Sequence, residues 1–190
     1  MMTFVLWLLA ILTVFLCVIP MIRCLFKRIS CAVKLHRICR RLGFTLQGTH
    51  AFWFLGSRSG KGCDCVIATP AHLFSIKLFG VMHRRRVLIF RESGEYFFRR
   101  FTSMLLFLLD AFDCSFRRLP DYDFSRGASL ATGRIRYDIL LLNPIPMEIR
   151  FQHRNGQEII TSPGDDLFGM ELASLSHLMR SLENAARESA

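Results

Sequence analysis

The sequence predicts an α+β chain: an N-terminal transmembrane helix, then a small mixed or antiparallel sheet domain with flanking helices. Three observations carry that prediction. The first 22 residues hold no charged side chain. Apolar residues then recur at helical spacing as far as Leu42. After Gly43 the pattern shortens to alternating apolar runs of about six residues with turn residues between them. The expected divisions are a transmembrane helix over 1–22 and a basic amphipathic juxtamembrane helix over 23–42. A cytoplasmic α+β domain over 43–184 and a frayed tail over 185–190 follow.

Thr3–Ile22 is a 20-residue run rich in Leu, Val, Ile and Phe. About 20 such residues span a hydrocarbon core as a helix. Trp7 suits one interface and Pro20 is tolerated at the other end. A cleaved signal peptide wants positive charge before the run and small residues after it; here the charge follows, and the end reads Cys17-Val18-Ile19-Pro20. The expectation is an uncleaved anchor in the cell membrane, single-pass, N-terminus outside.

Composition agrees with an uneven chain. Hydrophobic residues make up 52% of the 190, which excludes disorder, since disorder needs low hydrophobicity. The formal net charge of +10 is concentrated at one end. Nine of the 25 Lys and Arg residues precede the first acid, Asp64. From Asp64 onward 16 basic and 15 acidic side chains nearly cancel. A nucleic-acid reading of the total charge therefore loses most of its support.

Between Arg23 and Arg41 lie seven basic residues and no acid: Arg23, Lys27, Arg28, Lys34, Arg37, Arg40 and Arg41. Leu25, Ile29, Leu35, Ile38 and Leu42 form the apolar stripe of the same segment, and Gly43 is its stop. The basic face reads as contact with anionic headgroups, worth roughly 1 kcal/mol per residue near the surface. A nucleic-acid-binding stripe is the competing reading. Cys17, Cys24, Cys31 and Cys39 share one helical stripe. Free cysteine suits a buried helix face; a homodimer seam through Cys17, Cys24 and Cys31, or S-acylation, competes with that.

Phe44–Gln47, Cys63–Thr69, His72–Phe79, Arg86–Arg91, Glu95–Phe101, Arg134–Leu142 and Met147–Gln152 read as strands. Met104–Phe112 reads as a core helix too short to span a bilayer. Asn155-Gly156 is a hairpin turn signal. From Phe168 onward, Leu172, Leu175, Leu178, Met179 and Leu182 mark a closing amphipathic helix.

The motifs are mostly negative. Gly56-Ser57-Arg58-Ser59-Gly60-Lys61-Gly62 has three residues between its first two glycines where a phosphate loop needs four, and Gly62 stands where Ser or Thr belongs. It reads as a hairpin loop. Cys63-Asp64-Cys65 supplies one thiol pair, where a structural zinc site shows two. The six histidines show no metal spacing, and no metal or cofactor is expected. His83 with Arg84, Arg85 and Arg86 forms a basic cluster, and Arg99, Arg100, Arg117 and Arg118 interleave with phenylalanines. That composition suits phosphate contact, a membrane surface or a solvated rim. Asp165-Asp166 reads as a turn into the last helix, with a capping role.

One constellation is more specific. The order is helix, strand, loop, then Cys63-Asp64-Cys65-Val66-Ile67-Ala68-Thr69-Pro70, a tight turn, and His72-Leu73-Phe74-Ser75-Ile76-Lys77. This resembles the αβββ core of the restriction-endonuclease-like fold, in particular the nuclease-related NERD domain, over residues 36–90. The resemblance implies an Asp opening one strand and a Glu-x-Lys ending the next, two carboxylates holding magnesium and a lysine positioning water. Asp64 matches the Asp, and Pro70 the turn. Lys77 stands in place of the second carboxylate, and Phe79 in place of the lysine. A lysine there repels a metal, and the nearest later acids are Glu92 and Glu95. Asp64 and Lys77 also read simply as two polar residues joined by a salt bridge on neighbouring strands. The function expected is a non-catalytic binding or scaffolding module anchored to a membrane, the alternative being a degenerate endonuclease-like domain that binds or acts on nucleic acid there.

Overall fold

The first long element, α1 (Ile19–Leu42), is helical because Cys31, Leu35, Ile38, Cys39 and Leu42 fall on one stripe at three- and four-residue spacing. It ends in a Schellman motif. Gly43 takes φ 71°, Gly43 N–H donates to Arg40 C=O and Phe44 N–H donates to Cys39 C=O at 2.8 Å. Phe44 then packs on the core that the stripe covers. The computed structural model describes residues 7, 11, 19–48, 62–80, 86–100, 117–119 and 133–188.

The expected transmembrane helix is corrected here. No helix among the described residues is long and apolar enough to cross a membrane. Ile19–Ile22 instead form the first turn of α1, which runs on through seven basic residues to Leu42. The described helix therefore carries too many cations along its length to be a span itself. Of residues 1–18 only Trp7 and Ile11 are described.

After Gly43 the chain forms β1 (Thr45–Gln47), β2 (Cys65–Ala68) and β3 (His72–Gly80), an antiparallel meander. The β2–β3 turn at Thr69-Pro70-Ala71 is closed by Thr69 N–H donating to His72 C=O at 2.9 Å and His72 N–H donating to Thr69 Oγ1 at 2.8 Å. Next come β4 (Arg86–Arg91), β5 (Glu95–Arg100), β6 (Arg117–Arg118) and β7 (Ile135–Asn143). They are followed by β8 (Glu148–Gln152), β9 (Glu158–Thr161), β10 (Asp166–Leu167), β11 (Met170–Ser174) and α2 (Leu175–Glu188).

Two mixed sheets result. One has the order β1-β2-β3-β7-β11-β10, the other β6-β5-β4-β8-β9. In the first, β7 runs parallel to both β3 and β11. In the second, β4 and β8 are parallel. The strands of the second sheet therefore come from two excursions, one between β3 and β7 and one between β7 and β11.

The alternation of side chains explains the layering. Phe74, Ile76 and Leu78 of β3, with Ile139 and Leu141 of β7, share a core with α1 and with Leu178, Leu182 and Ala185 of α2. Leu73 and Phe79, with Leu140 and Leu142, share another with Leu88, Phe90 and Ile149 of the second sheet. The helices thus cover one face of the six-stranded sheet and the second sheet covers the other. Buried on both faces, β3 and β7 read as nearly continuous apolar runs.

The closing helix begins later than its leucine pattern suggests. Leu172 is wholly buried on β11, paired with Leu140 of β7. Ser174 caps α2, its Oγ accepting from His177 N–H at 3.0 Å. At the other end α2 continues to Glu188, with Ala185 in the core. Asn155-Gly156 makes its turn between β8 and β9, Gly156 at φ 84°. Met104–Phe112 and Gly56–Lys61 lie outside the described residues.

Candidate functional site

Asp64 and Lys77 come together, and both are buried, at 8% and 6% exposure. Asp64 stands just before β2. Its N–H donates to Ile76 C=O at 2.8 Å, and its Oδ2 accepts Leu78 N–H at 2.8 Å. The carboxylate thus takes the place of a main-chain acceptor and prolongs the ladder beside β3. Lys77 Nζ donates to Asp64 Oδ1 at 3.0 Å and to Gly62 C=O at 2.8 Å. Each charge is met by its opposite and by main-chain groups, the condition under which a buried ion pair is tolerated.

This arrangement leaves both carboxylate oxygens in use. Phe79, at the position where the family resemblance wants a lysine, is a core aromatic 5.0 Å from Tyr96, ring centre to ring centre. Glu92 pairs with His153 and Arg154 at the β4–β5 turn, and Glu95 pairs with Arg91. Among the described residues no group of three or more His, Cys, Asp and Glu side chains is placed to hold a metal ion. Ser75, on the same face of β3 as Lys77, is fully buried, and its Oγ has no hydrogen-bond partner among the described residues.

The second assembly of predicted residues is the outer face of α1. Lys27, Lys34, Arg37, Arg40 and Arg41 are exposed, and Arg28 is half-buried. Arg41 Nη2 pairs with Glu183 of α2. Among the described residues, Lys27, Lys34, Arg37 and Arg40 have no carboxylate within ion-pair distance. Ile22, Val33 and Phe26 are exposed on the same helix, Phe26 at 67%. Only the backbone of Arg23 is described, within α1, and of Arg86, at the start of β4; Arg84 and Arg85 lie outside the described residues.

The cysteine stripe is partly placed. Cys31 and Cys39 face the six-stranded sheet, where Cys65 joins them. Burial pushes the Cys31 thiol up to about 12, against the smaller opposing effects of Lys34 and an Asn143 hydrogen bond. It pushes Cys39 up to about 11. Cys65 is also raised, by burial first and then by Asp64 and the neighbouring thiols. All three are protonated near neutral pH and are poor nucleophiles. Cys17 lies outside the described residues, as does the side chain of Cys24.

The structure adds a feature that no sequence motif marks. A cavity of about 270 Å³ lies between α1 and the segment joining β7 to β8, and Lys27, Ser30, Lys34 and Asn143 line it. Asn143 Nδ2 donates to Lys27 C=O at 3.2 Å, tying the end of β7 to α1. The seven-residue spacing of Lys27 and Lys34 was a signal for one shared face. Nothing local to α1 announces Asn143. Comparison with protein-family models, with curated proteins and with solved structures finds no match.

Proposed function

We propose that this chain is a non-catalytic binding module that lies against anionic lipid headgroups through the outer face of α1. The observation that carries the reading is the two-sided character of that helix. Its inner side chains are buried against the six-stranded sheet, while its outer face sets Lys27, Lys34, Arg37 and Arg40 beside exposed Ile22, Phe26 and Val33. Cations interleaved with exposed apolar side chains are the composition of a helix lying in the membrane interface. The apolar groups enter the boundary of the acyl region, and the cations meet phosphates. Four such cations contribute about 4 kcal/mol together at a strongly anionic surface. The non-catalytic half of the reading is supported by the Asp64 carboxylate, both of whose oxygens are already bonded.

Flotation of the full chain with phosphatidylcholine vesicles, with and without phosphatidylserine, tests the first half. The expected result is a clear preference for the anionic vesicles that weakens as salt rises. Equal binding to both, or to neither, overturns it. Incubation with magnesium and DNA or RNA tests the second half. No turnover is expected, and turnover abolished by Asp64→Ala sinks it.

A further inference from the structure

We infer that the cavity between α1 and the β7–β8 segment is a subsite for a phosphomonoester, the dianionic phosphate carried by some lipid headgroups and by free inorganic phosphate. This rests on the reading of α1 as a surface-binding face and gives that face a point of chemical selectivity.

Lys27 and Lys34 are seven residues apart, so they stand on one side of α1, about 10 Å apart along its axis. Ser30 lies between them, and all three line the same cavity. Among the described residues no carboxylate lines it, and neither ammonium has an acidic partner. The neighbouring Arg41, by contrast, is paired with Glu183. Two uncompensated ammonium groups at one cavity repel each other, and an anion seated between them converts that repulsion into attraction.

Composition makes the pairing more telling. Only four of the 25 basic residues are lysines: Lys27, Lys34, Lys61 and Lys77. One is consumed in the buried pair with Asp64, and two line this cavity. A chain that otherwise uses arginine thus places two compact, strongly hydrated point charges at one cavity. A phosphomonoester carries about −1.5 to −2 at neutral pH, matching two ammonium groups, whereas a phosphodiester carries a single charge. The Ser30 hydroxyl supplies a further donor. Asn143 holds the far wall at fixed distance through its bond to Lys27 C=O. Phe26, exposed at the rim, stands where an acyl chain attached to the phosphate would lie.

The test uses the full chain in two arms. In the first, vesicles containing phosphatidic acid are compared with phosphatidylserine vesicles matched for surface charge. In the second, reductive methylation of each lysine is followed by mass spectrometry, with inorganic phosphate and with chloride at equal ionic strength. Two variants accompany them: Ser30→Phe, which fills the cavity and leaves the charge unchanged, and Lys27→Gln with Lys34→Gln. Ser30 is exposed, so the fold is expected to survive, and circular dichroism checks this.

The expected result is a five- to tenfold preference, roughly, for phosphatidic acid at matched charge. Ser30→Phe removes the preference and leaves phosphatidylserine binding intact, and the double glutamine variant removes it too. Phosphate slows methylation of Lys27 and Lys34 in the native chain only. Protection by phosphate without a vesicle preference supports the subsite and assigns it to the free anion. Protection without binding to any vesicle leaves the subsite standing and sinks the surface reading of α1. Equal binding to both vesicles with no protection overturns the subsite. So does a preference that both variants retain.

Discussion

Two regions hold positive charge in opposite ways. At the centre of the six-stranded sheet, Lys77 is buried, and its ammonium is held by Asp64 and by the Gly62 carbonyl. On the outer face of α1, Lys34, Arg37 and Arg40 are exposed, and none has a carboxylate within ion-pair distance among the described residues. The same residue type serves architecture in one place and remains available in the other. The difference lies in what the fold brings alongside, since nothing about the charge itself distinguishes them. Lys77 is locked because a carboxylate 13 residues away reaches it across two strands. Lys27, Lys34, Arg37 and Arg40 have no carboxylate within ion-pair distance among the described residues, and their own stretch of sequence contains no acid until Asp64.

The largest effect that tests this contrast comes from breaking the interior pair. Lys77→Met strands a buried carboxylate and is expected to destabilise the chain by about 3–5 kcal/mol in urea unfolding. Asp64→Asn combined with Lys77→Met keeps an acceptor for Leu78 N–H and removes the stranded charge, so the double variant should lose less than Lys77→Met alone. A double variant equal to the sum of its parts would show that the two groups do not act as a unit.

Next in size is the response of the buried thiols to alkali. Below their ordinary value of 9.0, Cys31 and Cys39 are protonated in folded and unfolded chains alike. Above it the unfolded chain releases protons that the folded chain retains, so folding stability falls as pH rises from about 9 toward about 12 for Cys31 and about 11 for Cys39. Replacing both cysteines by alanine should flatten the stability profile in that window, whatever it does to stability at neutral pH. An unchanged slope would count against the burial of these thiols.

Ser75→Ala sharpens the comparison from the polar side. A buried hydroxyl without a partner carries a desolvation penalty of about 1–3 kcal/mol, so its removal should be neutral or stabilising. A clear loss of stability would mean that Ser75 belongs to the Asp64–Lys77 network.

The smallest stability effect is expected on the outer face. Arg37→Gln with Arg40→Gln should shift folding by less than about 0.5 kcal/mol per site. The same variant should weaken binding to anionic vesicles by roughly thirtyfold, at about 1 kcal/mol for each of the two charges removed. Interior charge thus reads out in unfolding and exterior charge in binding.

Much of this architecture was legible in local signals. Gly43 ends α1, Pro70 sits in the β2–β3 turn and Asn155-Gly156 turns β8 into β9, each because the backbone there needs a particular residue. The strand periods were visible for the same reason. The leucines from Phe168 onward misled, because Leu172 lies on β11 and its neighbour Leu140 is supplied by a strand 32 residues away. Of the apolar run at the start, Ile19–Ile22 open the charged, sheet-packed α1, and no helix among the described residues is long and apolar enough to cross a membrane. At the candidate site, the Asp64–Lys77 pair was readable as a salt bridge from strand spacing. The Lys27–Lys34 cavity was not, because its far wall, Asn143, is 116 residues from Lys27.

The two excursions that build the second sheet bear on how the molecule is assembled. Strands β4 and β8 leave the six-stranded sheet at different points of the chain and meet only in parallel register. Neither sheet is therefore complete until both crossovers have closed, and neither can be removed as a module. Such sequence-distant pairing implies slow folding for the chain's size. It also implies that helices, inner sheet and outer sheet come apart together, in one transition.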